Sequence, residues 1–417
     1  MPDHHNQRVS VIGAGIAGVS TALWLQRKDC DVTLIDRQEP GEGASFGNAG
    51  VLASCSVVPV TTPGLATKAP GMLLRKDSPL FLIWSRFPLM APWIVRYFLH
   101  ANDRDTRRIS AGIAAIVTDS LQQHKDLATG TIAERWIRPS DYVFAYHSRA
   151  AFDSDDYVWS LRQEVGMIPT ILEGRDILDL VPELGADTRL LAVMNGHGFV
   201  KNPGQYVKDL AETFVQAGGR RITTGFRDFD FSGDSVRAIE TESGSIECDA
   251  AVIAAGVWSG QLMRKLGLRI PLESERGYHI LFRNPSIRLA QPIYVAAGKF
   301  VATPMEHGLR CAGVIEFGGI QQKPSRQPFT FIQKQAKNAF PKLSWDEAEE
   351  WMGHRPAPCD SLPLIGEIGN TGIYTAFGHH HIGLTGGPKT GRLVAQLVTG
   401  SDPLVDPVPY SPNRFRR

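Results

Sequence analysis

The chain has 417 residues, 44 Lys plus Arg against 43 Asp plus Glu, and 43% hydrophobic residues. This near-balance, without a long block of like charge, excludes the electrostatic footprint of a nucleic-acid binder and points to a small-molecule partner. The length exceeds one ordinary core, so two structural domains with room for a sizeable group between them are expected. Cys30, Cys55, Cys248, Cys311 and Cys359 are scattered, odd in number and form no CxxC, which argues against a disulfide framework or a zinc site and for a reducing, intracellular compartment. The opening MPDHHNQR has no apolar stretch, so no signal peptide is expected.

In chain order, Arg8 to Gly13 reads as a buried parallel strand, Ile16 to Lys28 as a helix and Asp31 to Asp36 as a second strand. The turn between the first two, Gly13-Ala14-Gly15-Ile16-Ala17-Gly18, has the GxGxxG spacing that lets a backbone approach a pyrophosphate at a helix N-terminus. Asp36 ends its strand 18 residues past Gly18, where its carboxylate can accept from both ribose hydroxyls and disfavour a 2′-phosphate; Arg37 follows it.

From Thr61 to Gly196 the pattern is irregular, with helical stretches such as Ile109 to Leu127 and an aromatic, basic segment at Pro79 to His100. Arg86, Arg96 and three prolines make that segment a poor membrane span; packing on the substrate domain and a peripheral membrane contact both suit it. A helix is expected at Asn202 to Gly218, and an apolar strand in Cys248 to Gly260. There Ala255 and Gly256 allow the backbone to pass close to something flat or phosphate-bearing. GYHILF, KFVATP and RCAGVIEFGG suggest an antiparallel meander between Leu268 and Gln333. Near the far end, GHHHIGLTGGPKTGRLVAQLV from Gly378 to Val398 is a second glycine-rich turn opening a helix. Its N–H groups and positive helix end suit the pyrimidine edge of a flavin, where charge collects on reduction, and the two turns together indicate FAD rather than NAD.

The expected architecture is α/β with a second α+β domain. An FAD-binding domain would come from residues 1–60, 195–265 and 350–417, and a substrate domain with an antiparallel sheet from 61–194 and 266–349. Arg355, just before Pro356, can grip a carboxylate with two parallel hydrogen bonds. His379, His380 and His381 stand side by side without a carboxylate or cysteine cluster, so no metal is assigned.

The GxGxxG start, GEGASFGNAG, ERGYHI, RPAPCDSLPLIG and GHHHIGLTGGPKTGRLVA together resemble the D-amino acid dehydrogenase group of the glutathione-reductase-like flavoproteins, with D-amino acid oxidase, glycine oxidase and sarcosine oxidase more distant. The resemblance runs over most of the chain. It implies non-covalent FAD and oxidation of an amino acid Cα–N bond to an imine, which hydrolyses to a 2-oxo acid and ammonia. It implies that Arg355 pairs with the substrate carboxylate and that Tyr278 sits on a substrate-domain strand facing the flavin. Ser45, Asn48, Ala49 and Gly50 match the loop along the flavin. Gly378, His380, His381, Ile382, Gly383, Leu384 and Thr385 match the loop at its pyrimidine edge, where His380 stands in place of the usual glycine. Cys359 directly precedes Asp360, closer than the flavin-linking cysteine of sarcosine-oxidase relatives, and reads as a packed thiol. The expected acceptor is oxygen or a quinone. The expected location is the cytoplasm, with the inner face of the cell membrane open. A secondary or cyclic amino acid substrate, or a flavin electron-transfer subunit of a larger complex, stands as the alternative.

Overall fold

The computed structural model describes residues 6–74 and 78–416; the start of the opening segment, residues 1–5, lies outside them. Strand β1 (Arg8–Ile12), helix α1 (Ile16–Gln26) and strand β2 (Asp31–Asp36) form the expected βαβ unit, with β1 and β2 parallel. A six-strand sheet places Leu364–Glu367, Ile373–Phe377, Ala250–Ile253, β1, β2 and Arg220–Thr223 side by side in that order. All its pairings are parallel except that of the two C-terminal strands. On one face, Val9, Val11 and Leu34 pack with Val19, Leu210, Leu393 and Val394 of three helices; on the other, Ile12, Ile35 and Ile253 pack with Phe229 and Ile239 of a three-strand antiparallel sheet. Strands covered on both faces read as continuous apolar runs, which is why β1 and β2 were legible.

The second sheet has a path of eight strands: Glu347–Pro358, Leu272–Arg283, Gly308–Phe317, Phe300–Met305, Ile293–Val295, Ile137–Tyr146, Leu190–Val200 and Val51–Leu52. It is antiparallel apart from the pairing of Ile293–Val295 with Ile137–Tyr146 and of the short Leu80–Leu82 with Gly308–Phe317. The strand bearing Arg355 thus belongs to this sheet. It pairs with Leu272–Arg283 along its whole length, from Glu347 to Pro358. The helical stretch expected at Ile109 to Leu127 falls in two helices, Asp103–Val117 and Ser120–Ala128, broken around Thr118 and Asp119.

The C-terminal helix, Gly383–Val398, lies against α1 so closely that a Cβ on Gly391 would stand 2.6 Å from the Ser20 carbonyl carbon. Backbone contact of this kind brings the two glycine-rich turns to one end of the fold. Among the described residues, no helix is long and apolar enough to cross a membrane.

Candidate active site

One cavity of about 870 Å³, within the size range of small-molecule and cofactor sites, runs from the first glycine turn to the large sheet. At its first end the glycines are sterically required. Gly13 has φ +115° and a Cβ there would stand 2.4 Å from the Ala254 carbonyl oxygen; a Cβ on Gly18 would stand 1.8 Å from the Gly13 oxygen. The Asp36 carboxylate braces the turn, accepting from the Ala14 N–H at 2.7 Å and the Gln38 N–H at 3.0 Å. Each carboxylate oxygen retains a further lone pair for a ribose hydroxyl. Ser45 is buried and accepts from the Ile16 N–H at 3.0 Å, so its hydroxyl fastens the loop to the start of α1. The Arg37 guanidinium lies 4.8 Å from the Trp258 ring centroid, beside Ala255 and Gly256 on the wall.

The middle of the cavity is bounded by the 43–50 loop, and the large sheet holds that loop by three consecutive carbonyls. Arg310 donates to the Phe46 and Asn48 carbonyls at 3.0 and 2.6 Å, and the His279 ring nitrogen Nδ1 contacts the Gly47 carbonyl at 3.0 Å. Asn48 accepts from the Gly50 N–H through its own side chain, and Ala49 also lines the cavity. The Trp351 indole stacks on His279 with centroids 5.2 Å apart and covers Gly47 and Gly353, where a Cβ would meet it at 1.8 and 1.9 Å.

At the far end, alternation along the paired strands puts Glu275, Gly277 and His279 on one face, opposite Arg355, Gly353 and Trp351. Arg355 lines the cavity with its side chain 21% exposed and donates to Glu275 Oε1 at 2.7 Å, whereas the Glu275 side chain is only 1% exposed. The other Glu275 oxygen faces His380 Nδ1 at 2.9 Å. Burial alone would raise the Glu275 carboxyl, but His380, Arg355 and His381 outweigh it and hold that group below the usual carboxylate range.

The structure brings together the predicted residues of both turns: Gly13 to Ala17, Asp36, His380, His381, Gly383, Leu384 and Thr385 all line the one cavity. Gly378 has φ +88° and packs against Pro358 and Leu364, and Ile382 is in the core. Tyr278 also lines the cavity. Its side chain lies on the opposite face from Arg355, buried among apolar residues with Phe329, and its hydroxyl donates to Glu316 at 2.6 Å and accepts from the Ser325 N–H. The three histidines diverge: His379 Nε2 meets Thr390 Oγ1 at 2.9 Å, His380 faces Glu275, and His381 stands with its ring 6.1 Å from that of His380. Cys359 packs with Trp93 and Tyr97, and burial, helped by Asp360, pushes its thiol up to about 12. Sequence reasoning missed Glu275, His279, Trp351 and the paired glycines Gly277 and Gly353. The only signal for them was that ERGYHI and WMGHRP each place a glycine next to charged and aromatic residues.

The residues present fit the FAD that the two turns imply. The glycine turn accepts nothing larger than hydrogen at Gly13 and Gly18, Asp36 ends the second strand, and the N-terminus of the Gly383–Val398 helix opens on the same cavity.

Comparison with known proteins agrees. The chain matches the family described as DAO, FAD dependent oxidoreductase, over residues 8–397. It is 36% identical to a D-amino-acid oxidase of Bradyrhizobium diazoefficiens, with 100% of both chains covered. It is 29% identical to D-amino acid dehydrogenase 2 of Pseudomonas aeruginosa, with 96% of this chain and 97% of that one covered. Glycine oxidase from Geobacillus kaustophilus shares the fold, with a TM-score of 0.73 at 20% identity over 98% of this chain and 99% of that one. L-proline dehydrogenase from P. horikoshii gives 0.74 at 18% identity over 99% and 98%.

Proposed function

This chain belongs to the DAO family of FAD dependent oxidoreductases, and from that premise we propose that it catalyses oxidative deamination of a D-amino acid. The observation that carries the reading is the Arg355 guanidinium, partly exposed in the cavity that holds both glycine turns, with one nitrogen on Glu275 and the rest of its fork free to meet a substrate carboxylate. FAD, when bound, supplies the acceptor for the Cα hydrogen and its electron pair. Arg355 holds the carboxylate, and Glu275 holds Arg355, so the guanidinium is aimed before substrate arrives. The Trp351 ring and the clamped 46–48 loop give the site rigid walls that exclude water. Loss of the amine's proton supplies the lone pair that drives hydride departure, and the resulting imine hydrolyses to a 2-oxo acid and ammonia. The reading assigns binding to Arg355 and flavin contact to the residues of the two turns, the 45–50 loop and Ala255-Gly256.

The electron acceptor is oxygen or a quinone. Anaerobic mixing of the purified yellow protein with paired D- and L-amino acids and N-alkyl glycines, followed by flavin absorbance, tests the reading. Bleaching by D-amino acids is expected; bleaching by N-alkyl glycines alone makes it a secondary-amine enzyme, and none by any amino acid overturns it.

The Trp84–Leu99 segment exposes Trp84, Phe87, Leu89, Val95 and Leu99 beside Arg86 and Arg96. That mixture supports peripheral contact with the inner face of a membrane by an otherwise cytoplasmic protein. Co-flotation with anionic vesicles that is lost in Leu89→Ser/Leu99→Ser is the expected result.

A further inference from the structure

His380 is unusual in three ways that a structural role does not explain. Its backbone is left-handed, φ +51°, at a cost that a glycine would avoid. Its side chain is only 3% exposed. Among the described residues its ring makes no well-aligned hydrogen bond: Nδ1 stands at ion-pair distance, 2.9 Å, from Glu275 Oε2, and Nε2 meets no partner. A buried, strained and unsatisfied imidazole in the wall of a substrate cavity costs stability, and such costs persist where the group has work to do.

We propose that His380, held by Glu275, accepts the proton that the substrate's ammonium group must shed beside Arg355. The proposal rests on the amino acid reading above and adds a proton acceptor to it. Glu275 uses one oxygen to fix Arg355 and presents the other to His380 Nδ1 at 2.9 Å, and a carboxylate so placed favours the imidazole proton on Nδ1. Nε2 is then a lone pair. An N–H bond of the ammonium breaks, its electrons stay on nitrogen, and the proton bonds to Nε2. With FAD bound as the oxidant, the neutral amine's lone pair would drive the Cα hydrogen out with its electron pair, leaving an iminium for hydrolysis. The imidazolium so formed sits against an anionic Glu275.

The other groups around His380 are consistent with this assignment. Tyr97 stacks on it with centroids 6.1 Å apart, and burial, helped by Glu275, holds its phenol well above the ordinary value, so Tyr97 stays protonated. Burial holds His381 low, at about 4, and His379, also at about 4, is turned away to Thr390. Arg355 remains a fixed cation. Among these groups, His380 is the one that lines the cavity with a carboxylate oxygen 2.9 Å from its ring.

The test uses the FAD-loaded protein, His380→Gly and Glu275→Gln. Glycine suits φ +51°, so His380→Gly is expected to fold and stay yellow. Two measurements decide. In anaerobic single turnover with a D-amino acid, the half-rise of the reduction rate with pH is expected to move at least one pH unit upward in His380→Gly, toward the free amine's own value, and Glu275→Gln to move it the same way. In calorimetry with pyruvate, a 2-oxo acid with no amine, run in buffers of different ionisation heat near neutral pH, the wild type is expected to take up a fraction of a proton per carboxylate bound and His380→Gly none. An unchanged pH profile together with equal proton uptake in His380→Gly overturns the proposal. If no amino acid reduces the wild-type flavin, the amino acid reading fails while the calorimetric comparison still judges His380.

Discussion

Arg355 lies across Gly277: a Cβ built on that glycine would stand 2.6 Å from the guanidinium carbon, on the strand paired with its own. The bare backbone of one strand is therefore the bed for the cation of the next. Gly277→Ala is expected to push the guanidinium off Glu275 and out of line while leaving the nucleotide end untouched. We expect kcat/KM to fall by about tenfold or more, because small misplacements of a positioning group are costly. Flavin content should match wild type; wild-type kinetics in this variant would show that the guanidinium does not position the substrate.

Arg355→Leu removes the same cation altogether. It is expected to keep FAD but to lose about 3 kcal/mol in kcat/KM, a factor on the order of a hundred. It also leaves the Glu275 carboxylate buried beside His380 alone, so a fall in melting temperature should accompany the kinetic loss. Steady-state kinetics and thermal melts on one preparation separate the two effects.

Tyr278→Phe is expected to behave quite differently. Its hydroxyl serves Glu316 and Ser325 on the far face of the sheet, and Glu316 keeps Arg276 Nη1 at 2.7 Å without it. Loss of one buried hydrogen bond is expected to cost about 1–2 kcal/mol of stability, with turnover unchanged within about twofold. A hundredfold loss of kcat with normal stability would return Tyr278 to the chemistry.

The nucleotide end yields a graded pair. Gly18→Ala forces a methyl onto the Gly13 carbonyl and is expected to abolish flavin retention, whereas Asp36→Ala removes one acceptor and a brace on Ala14 and should only weaken it. The ratio of flavin to protein absorbance after gel filtration ranks them. The reverse order would mean that the ribose carboxylate, and not the turn, dominates binding.

Stability should fall on the acid side of neutrality. Burial holds both His124 and His379 low, at about 4, each neutral in the fold; His124 sits between the Tyr206 hydroxyl and the Leu384 carbonyl. In the unfolded chain each takes a proton near about pH 6.5. The unfolded state therefore binds more protons below that value, and stability, full above it, is lost as pH falls toward 4. Each histidine contributes a slope of up to about 1.4 kcal/mol per pH unit in that window. Denaturant melts from pH 7 to pH 4.5 should show this slope, and His124→Gln should flatten it by about one histidine's share.

How much of this the sequence determined follows from which interactions are local. The β1–α1–β2 unit, Asp36 at its end and the glycine-opened C-terminal helix were legible because a buried parallel strand writes itself as an apolar run and a tight turn demands glycine at fixed offsets. The motif singled out Arg355, and it marked His380 as standing where glycine is usual, at a position whose backbone is left-handed. Tertiary structure alone decided what those two residues touch. Glu275 stands 80 positions before Arg355, and only the register of two paired strands makes them neighbours and turns Tyr278 the other way. A one-residue slip in that register would have put Tyr278 beside the guanidinium and Glu275 in the core, since strand side chains alternate with a period of two.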